Sequence, residues 1–381
     1  MLVLAALSGI ISVFAEDGGR AELNENIAEL LDKLDLSALQ KYLDENGDGF
    51  LMKFGGTAKE ILEYLINGNL QSDYGSYLGE LFGIIFKNVI GLVPAFATVT
   101  AIGLLSAIVS AAEGSILGKS VSKIVHLACY SLIILILGSM LTGIVSSCVG
   151  CISNVKRQIE IITPLLATLT VLTGGTSSAA IYSPSAIFLS GGAVEIVSVF
   201  IFPATISVVV LNFLSKFNSQ MSFSGVTALI KSIMKWTIGI TVTVFSIFIT
   251  AQSSATSLFD GIIFKATKFA VGNTVPIVGN FLSSGFDMLT SAGLLIKSSV
   301  GVCGIILLLL EIIKPVILLV AFSTVLKIVG AIVQPIGEDV LFSLLSDLSK
   351  DIEFFIAGLL TVAFMYALVV MLIINSANSF I

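Results

Sequence analysis

The chain has 381 residues, of which 56% are hydrophobic and only 12% charged, and its mean hydropathy is +1.05. Soluble domains carry about 25% charged residues, so a water-soluble globule is excluded and the chain belongs in a bilayer. Its 25 acidic and 19 basic residues give a formal net charge of −6 with no basic tract, which excludes nucleic acid as a partner.

Residues 1–15 form a short apolar run ending in small residues, with Val13 and Ala15 suited to the −3 and −1 positions of a signal-peptidase site. The run is shorter than the roughly 20 residues a spanning helix needs, so a signal peptide is preferred over a retained anchor. The usual basic residues ahead of such a run are missing.

Residues 16–82 read as a small acidic, helical domain facing water outside the cytoplasm. Glu16 to Glu80 holds 14 acidic and 5 basic residues, whereas the rest of the chain holds 11 acidic and 14 basic. Ile27, Leu30, Leu31 and Leu34 give one apolar helical stripe. Thr57 and Glu60 make a capping box ahead of Ile61, Leu62 and Leu65. Between them, Asp44, Asn46, Asp48 and Gly49 occupy positions 1, 3, 5 and 6 of a calcium-binding EF-hand loop, with Leu51 at the apolar position 8. Position 12 is Gly55 instead of the bidentate glutamate, so an ordinary turn is the preferred reading.

Residues 83–381 read as a multi-span membrane domain. Charge-free stretches predict six crossing helices near 86–112, 124–147, 188–215, 234–256, 302–334 and 354–378. The fifth is interrupted by Glu311, Lys314 and Pro315 and is expected to be broken or kinked. Residues 161–185 and 269–301 are rich in glycine, proline and polar breaks; each is a re-entrant hairpin or an interfacial helix pair. The fold class is therefore an all-α polytopic membrane protein with about six transmembrane helices and two irregular segments. The order of charged landmarks from Lys123 to Lys216 and from Lys235 to Lys327 suggests an internal repeat. The positive-inside rule gives a weak preference for Lys119, Lys123, Lys216, Lys231, Lys235, Lys327 and Lys350 on the cytoplasmic side.

Ionisable groups inside a span cost about 2.5–3.5 kcal/mol each, so they face a cavity or a partner. That makes Glu195, Asp287, Glu311 and Lys314 the candidate intramembrane polar or pathway residues. Glu311 and Lys314, three apart on one helix face, are also placed to neutralise each other. Ser106, Ser110 and Gly114 form a small-residue ridge for close helix packing. Catalytic signatures are scarce. His126 is the single histidine, and Cys148 and Cys151 have no second ligand pair for a metal. No nucleophile–base–orienter set can be assembled, and no cofactor or phosphate-binding loop is expected.

Two long blocks, ITPLLATLTVLTGGTSSAAIYSP (162–184) and KFAVGNTVPIVGNFLSSGFDMLTSAGLLIKSSVG (268–301), together with QSSATSLFDG (252–261), resemble the stage III sporulation protein AE family of endospore-forming Firmicutes. The resemblance covers most of the chain. It implies a mother-cell protein in the membrane around the engulfed forespore. It also implies work with the other stage III sporulation A-series proteins and with stage II sporulation protein Q, as an oligomeric, secretion-like channel. A permease for a small solute is the alternative that the broken helices and Glu195 leave open.

Overall fold

The computed structural model describes residues 20–46, 55–67, 74–111, 119–217, 223–274, 279–336 and 339–376. The N-terminal run and most of the EF-hand-like loop therefore lie outside the described residues. Three short helices come first: α1 (Arg20–Lys33), α2 (Ser37–Asn46) and α3 (Ala58–Ile66). Much longer ones follow: α4 (Tyr74–Ala111), α5 (Lys119–Leu172), α6 (Thr176–Glu195), α7 (Phe202–Phe217), α8 (Ser224–Thr274), α9 (Gly279–Val333) and α10 (Asp339–Asn375). A π-helical segment, Ile196–Ile201, joins α6 to α7, and a 3-10 turn, Gln334–Ile336, ends α9. Among the described residues there is no strand.

The short helices form where their sequence patterns place them. Thr57 accepts from the Glu60 backbone while the Glu60 carboxylate accepts from the Thr57 backbone, so the capping box closes and α3 starts there. Ile61, Leu62 and Leu65 then turn into the core, as do Ile27 and Leu31 of α1. The acidic helices are seated on the long ones: α1 and α3 pack on α9, and α2 packs on α5.

Six stretches are long and apolar enough to cross a membrane: Ile90–Val109, Ser120–Leu172, Ser190–Lys216, Ser224–Gln252, Thr290–Val333 and Asp339–Asn375. Each overlaps one predicted span. The helices that carry them are far longer than a bilayer requires. At about 1.5 Å per residue a helix of some 54 residues is about 80 Å long, against a hydrocarbon core of about 30 Å.

This length carries helix into both irregular segments. The first is helical through Leu172, turns at residues 173–175 around Gly174 (φ 88°, where only glycine is at ease), and re-enters helix at Thr176. The second is helical through Thr274 and again from Gly279, with residues 275–278 outside the described set. The first is a helical hairpin that prolongs the span of α5, and in the second the described residues prolong α8 and α9.

Of the break or kink expected at Pro315, the break does not occur. α9 runs through it, as α4 and α5 run through Pro94 and Pro164. A proline forfeits one backbone bond, a loss that packed neighbours in a membrane bundle can absorb.

α9 and α10 form the most extensive helix pair, and α10 also touches α5, α6, α7 and α8. Half of the spanning stretch of α10 is buried, against 11% for α8, so α10 is the axis of the bundle and α8 its periphery. Lipid tails are as apolar as leucine, so helices associate in a bilayer through close packing, which small residues permit. Gly301 lies directly under Ile374, and a Cβ at Gly304 would come within 2.9 Å of the Tyr366 hydroxyl.

Candidate functional site

Four polar positions within five residues of α5 face three different neighbours, because successive residues rotate by about 100° around a helix. Asn154 and Gln158, one turn apart, share a side. The Asn154 amide donates to Glu311 Oε1 on α9 at 2.9 Å, and the Gln158 amide donates to the Tyr42 hydroxyl on α2 at 2.8 Å. Arg157 donates to Glu45 Oε2 at 2.5 Å and lies 5.7 Å from the centre of the Tyr42 ring. Lys156 points elsewhere and donates to Glu195 Oε1 at 2.6 Å. The Cys151 thiol adds a bond to the Glu311 backbone carbonyl at 3.6 Å.

Two of the four sequence candidates thus meet one belt, brought together by α5 and not by each other. Glu195 ends α6 immediately before the π segment, and Glu311 is half-buried on α9. The carboxylate of Glu311 is held by Asn154 of another helix. Lys314 lies half-buried one turn further along α9. Asp287 lies in the N-terminal part of α9, and its side chain falls outside the described residues.

The belt is where α2 docks on α5. Burial pushes the Tyr42 hydroxyl up to about 12, with the Gln158 bond opposing that rise, so Tyr42 stays neutral. The hydrogen bond from Arg157 holds the Glu45 carboxyl below its ordinary value. By contrast, the Lys156–Glu195 pair is open, its side chains 43% and 54% exposed.

A second cluster escaped the sequence reading. Asp351 of α10 is fully buried, with Asn212 of α7 donating to Oδ2 at 2.5 Å and Lys231 of α8 at 2.5 Å from Oδ1. Nearby, Lys216 pairs with Asp347 at 3.7 Å and Lys327 with Glu353 at 3.5 Å. The available signal was the i, i+4 pair Asp347 and Asp351 opposite flanking lysines. Those lysines carry an obvious topological meaning, which hides their role as partners.

The remaining polar candidates are structural. Ser106 and His126 Nδ1 lie 2.8 Å apart and tie α4 to α5, while Ser110 and Gly114 have no described side-chain placement. All four cysteines are buried and none is in a disulfide. Asp44 accepts from Gln40, and residues 47–54 of the EF-hand-like loop lie outside the described set. Among the described residues no group of three or more His, Cys, Asp or Glu side chains could hold a metal.

The π segment completes the site. Insertion of a residue into a helix widens it, and such segments recur at functional positions. Here it presents Val197 and Ile201, both buried, to Gly358 of α10, where a Cβ would come within 2.9 Å of Val197 and 3.0 Å of Phe202.

Comparison with known proteins agrees with this architecture. A sequence model described as stage III sporulation protein AE matches residues 57–377, which takes in α3 and every long helix. A relative named stage III sporulation protein AE, from Bacillus subtilis (strain 168), is 24% identical over 387 residues, covering 99% of this chain and 96% of the relative. That name describes a role in sporulation and states no catalytic activity. No solved structure matches. With the family match extending from α3 through the last span, this chain belongs to the stage III sporulation protein AE family.

Proposed function

We propose that the protein is a non-enzymatic integral membrane subunit of a channel or secretion-like complex linking mother cell and forespore. It sits in the mother-cell membrane around the forespore, with α1 to α3 on the extracytoplasmic side. Its partners are the other stage III sporulation A-series proteins and stage II sporulation protein Q. The observation that carries this reading is the half-exposed Lys156–Glu195 pair set between apolar stretches of α5 and α6–α7. An ion pair turned toward acyl chains would be expensive, so that flank is suited to water or to another subunit. The test is the mass and composition of the complex solubilised from sporulating cells. A large assembly containing the A-series proteins supports the reading; a partner-free monomer or dimer overturns it.

A secondary transporter is the second reading, favoured by one observation: the fully buried Asp351 between Asn212 and Lys231. Buried carboxylates inside a bundle are common stations for coupling ions. Proton- or sodium-coupled solute uptake by the purified protein in liposomes, lost in Asp351→Asn, would establish it.

A further inference from the structure

α8 is the least buried of the spanning helices, and its outer face is not uniformly apolar. Its charge-free run starts immediately after Lys235, and Trp236, 70% exposed, stands at that boundary. Below them a groove of about 590 Å³ runs along the helix, lined by Lys235, Trp236, Gly239, Ile240, Thr243 and Val244. These positions fall at i, i+1, i+4, i+5, i+8 and i+9, so they form one continuous strip about two turns long. Gly239 makes the floor, and the Thr243 hydroxyl is turned inward to donate to the Gly239 carbonyl at 2.8 Å. That leaves the threonine methyl, with Ile240 and Val244, as the wall. The trough is apolar except at its Lys235 end.

The charge at that end is unspent. Three lysines lie near this part of the bundle. Lys216 is paired with Asp347 and Lys231 with Asp351, but Lys235 is exposed and has no acidic partner among the described residues. A cation above an apolar trough, with an indole at the polar–apolar boundary, is complementary to an amphiphile with a negative head and a hydrocarbon tail. Indole rings favour the headgroup level, and a lysine ammonium binds phosphate as a point charge.

We infer that this groove is a binding site for an anionic phospholipid, its phosphate on Lys235 and one acyl chain along Gly239 and Thr243. The lipid is a resident of the periphery of the bundle, independent of the belt at Lys156 and Glu195.

Native mass spectrometry of the full-length protein, delipidated and re-exposed to phosphatidylglycerol or phosphatidylethanolamine, tests the site. Wild type is expected to retain phosphatidylglycerol over phosphatidylethanolamine, and Lys235→Gln to lose about fivefold of that retention, the value of one lysine at an anionic surface. Lys235→Arg should preserve it. A Cβ at Gly239 meets nothing within 4 Å, so Gly239→Leu can fill the trough without a clash and should displace both lipids. Melting curves in the absence of added lipid confirm that each variant is folded. Three results would overturn the proposal: equal retention of the two lipids by wild type, unchanged retention in Lys235→Gln, or full displacement by inorganic phosphate alone. A change of oligomer mass in Gly239→Leu with lipid retention intact would make the strip a contact between copies, which also overturns it.

Discussion

At the scale of single residues, burial separates the charges that hold the bundle from those that face outward. Asp351 has no solvent exposure and its carboxylate is shared by Asn212 and Lys231. Removing one partner of a buried pair leaves the other uncompensated, at a cost of about 3–5 kcal/mol. Asp351→Ala should therefore lower the melting temperature of the purified protein sharply, and Asp351→Ala with Lys231→Met should recover part of the loss. Additive losses would show that the two side chains do not depend on each other. Glu45 behaves differently because it is exposed. Its folded-state carboxyl is shifted down by the bond from Arg157, so docking of α2 on α5 gains from that pair at neutral pH. The gain is lost as pH falls through the folded-state value. Limited proteolysis between α2 and α3 should accelerate on acidification, and Glu45→Gln should be cleaved faster already at neutral pH with a flatter pH dependence. Identical profiles for the two proteins would dissociate Glu45 from the docking.

At the scale of elements, the π segment Ile196–Ile201 and α10 are fitted through a glycine. Gly358→Val places methyl groups where Val197 and Phe202 already stand, and overpacking of this kind costs about 1–3 kcal/mol. The expected readout is a lowered melting temperature together with faster reaction of a cysteine reporter at Val197 with a membrane-permeant thiol reagent. An unchanged reporter would mean the segment adapts without leaving α10. Gly239→Ala provides the contrast, since a Cβ there meets nothing and stability should hold.

At the scale of the whole molecule, the Lys156–Glu195 pair distinguishes an internal contact from an assembly surface. Exposed ion pairs contribute only about 0–1 kcal/mol to folding. Lys156→Glu should leave the melting temperature of the isolated subunit nearly unchanged while removing it from the complex of sporulating cells, and Lys156→Glu with Glu195→Lys should restore incorporation. Normal incorporation of the single variant would clear this face of a role in assembly.

What was legible in the sequence is what local chemistry dictates. Composition alone requires a bilayer, and charge-free stretches locate six spans because a charge inside hydrocarbon costs more than a helix of this length can hide. The capping box at Thr57 and the stripe from Ile27 to Leu34 are local patterns, and the structure realises both. The Gly174 turn was marked by its glycines, since only they adopt that backbone without strain. Tertiary structure decided the rest. It closed the first irregular segment into a helical turn at Gly174, carried α9 unbroken past Pro315, and gave Glu311 a partner on α5. It also turned Asp351 inward, onto Asn212 and Lys231 of two other helices. The physical reason is the same each time: a side chain's neighbours within one helix are fixed by the 3.6-residue turn, whereas its neighbours on other helices, 116 residues away for Gln158 and Tyr42, exist only once the bundle has packed.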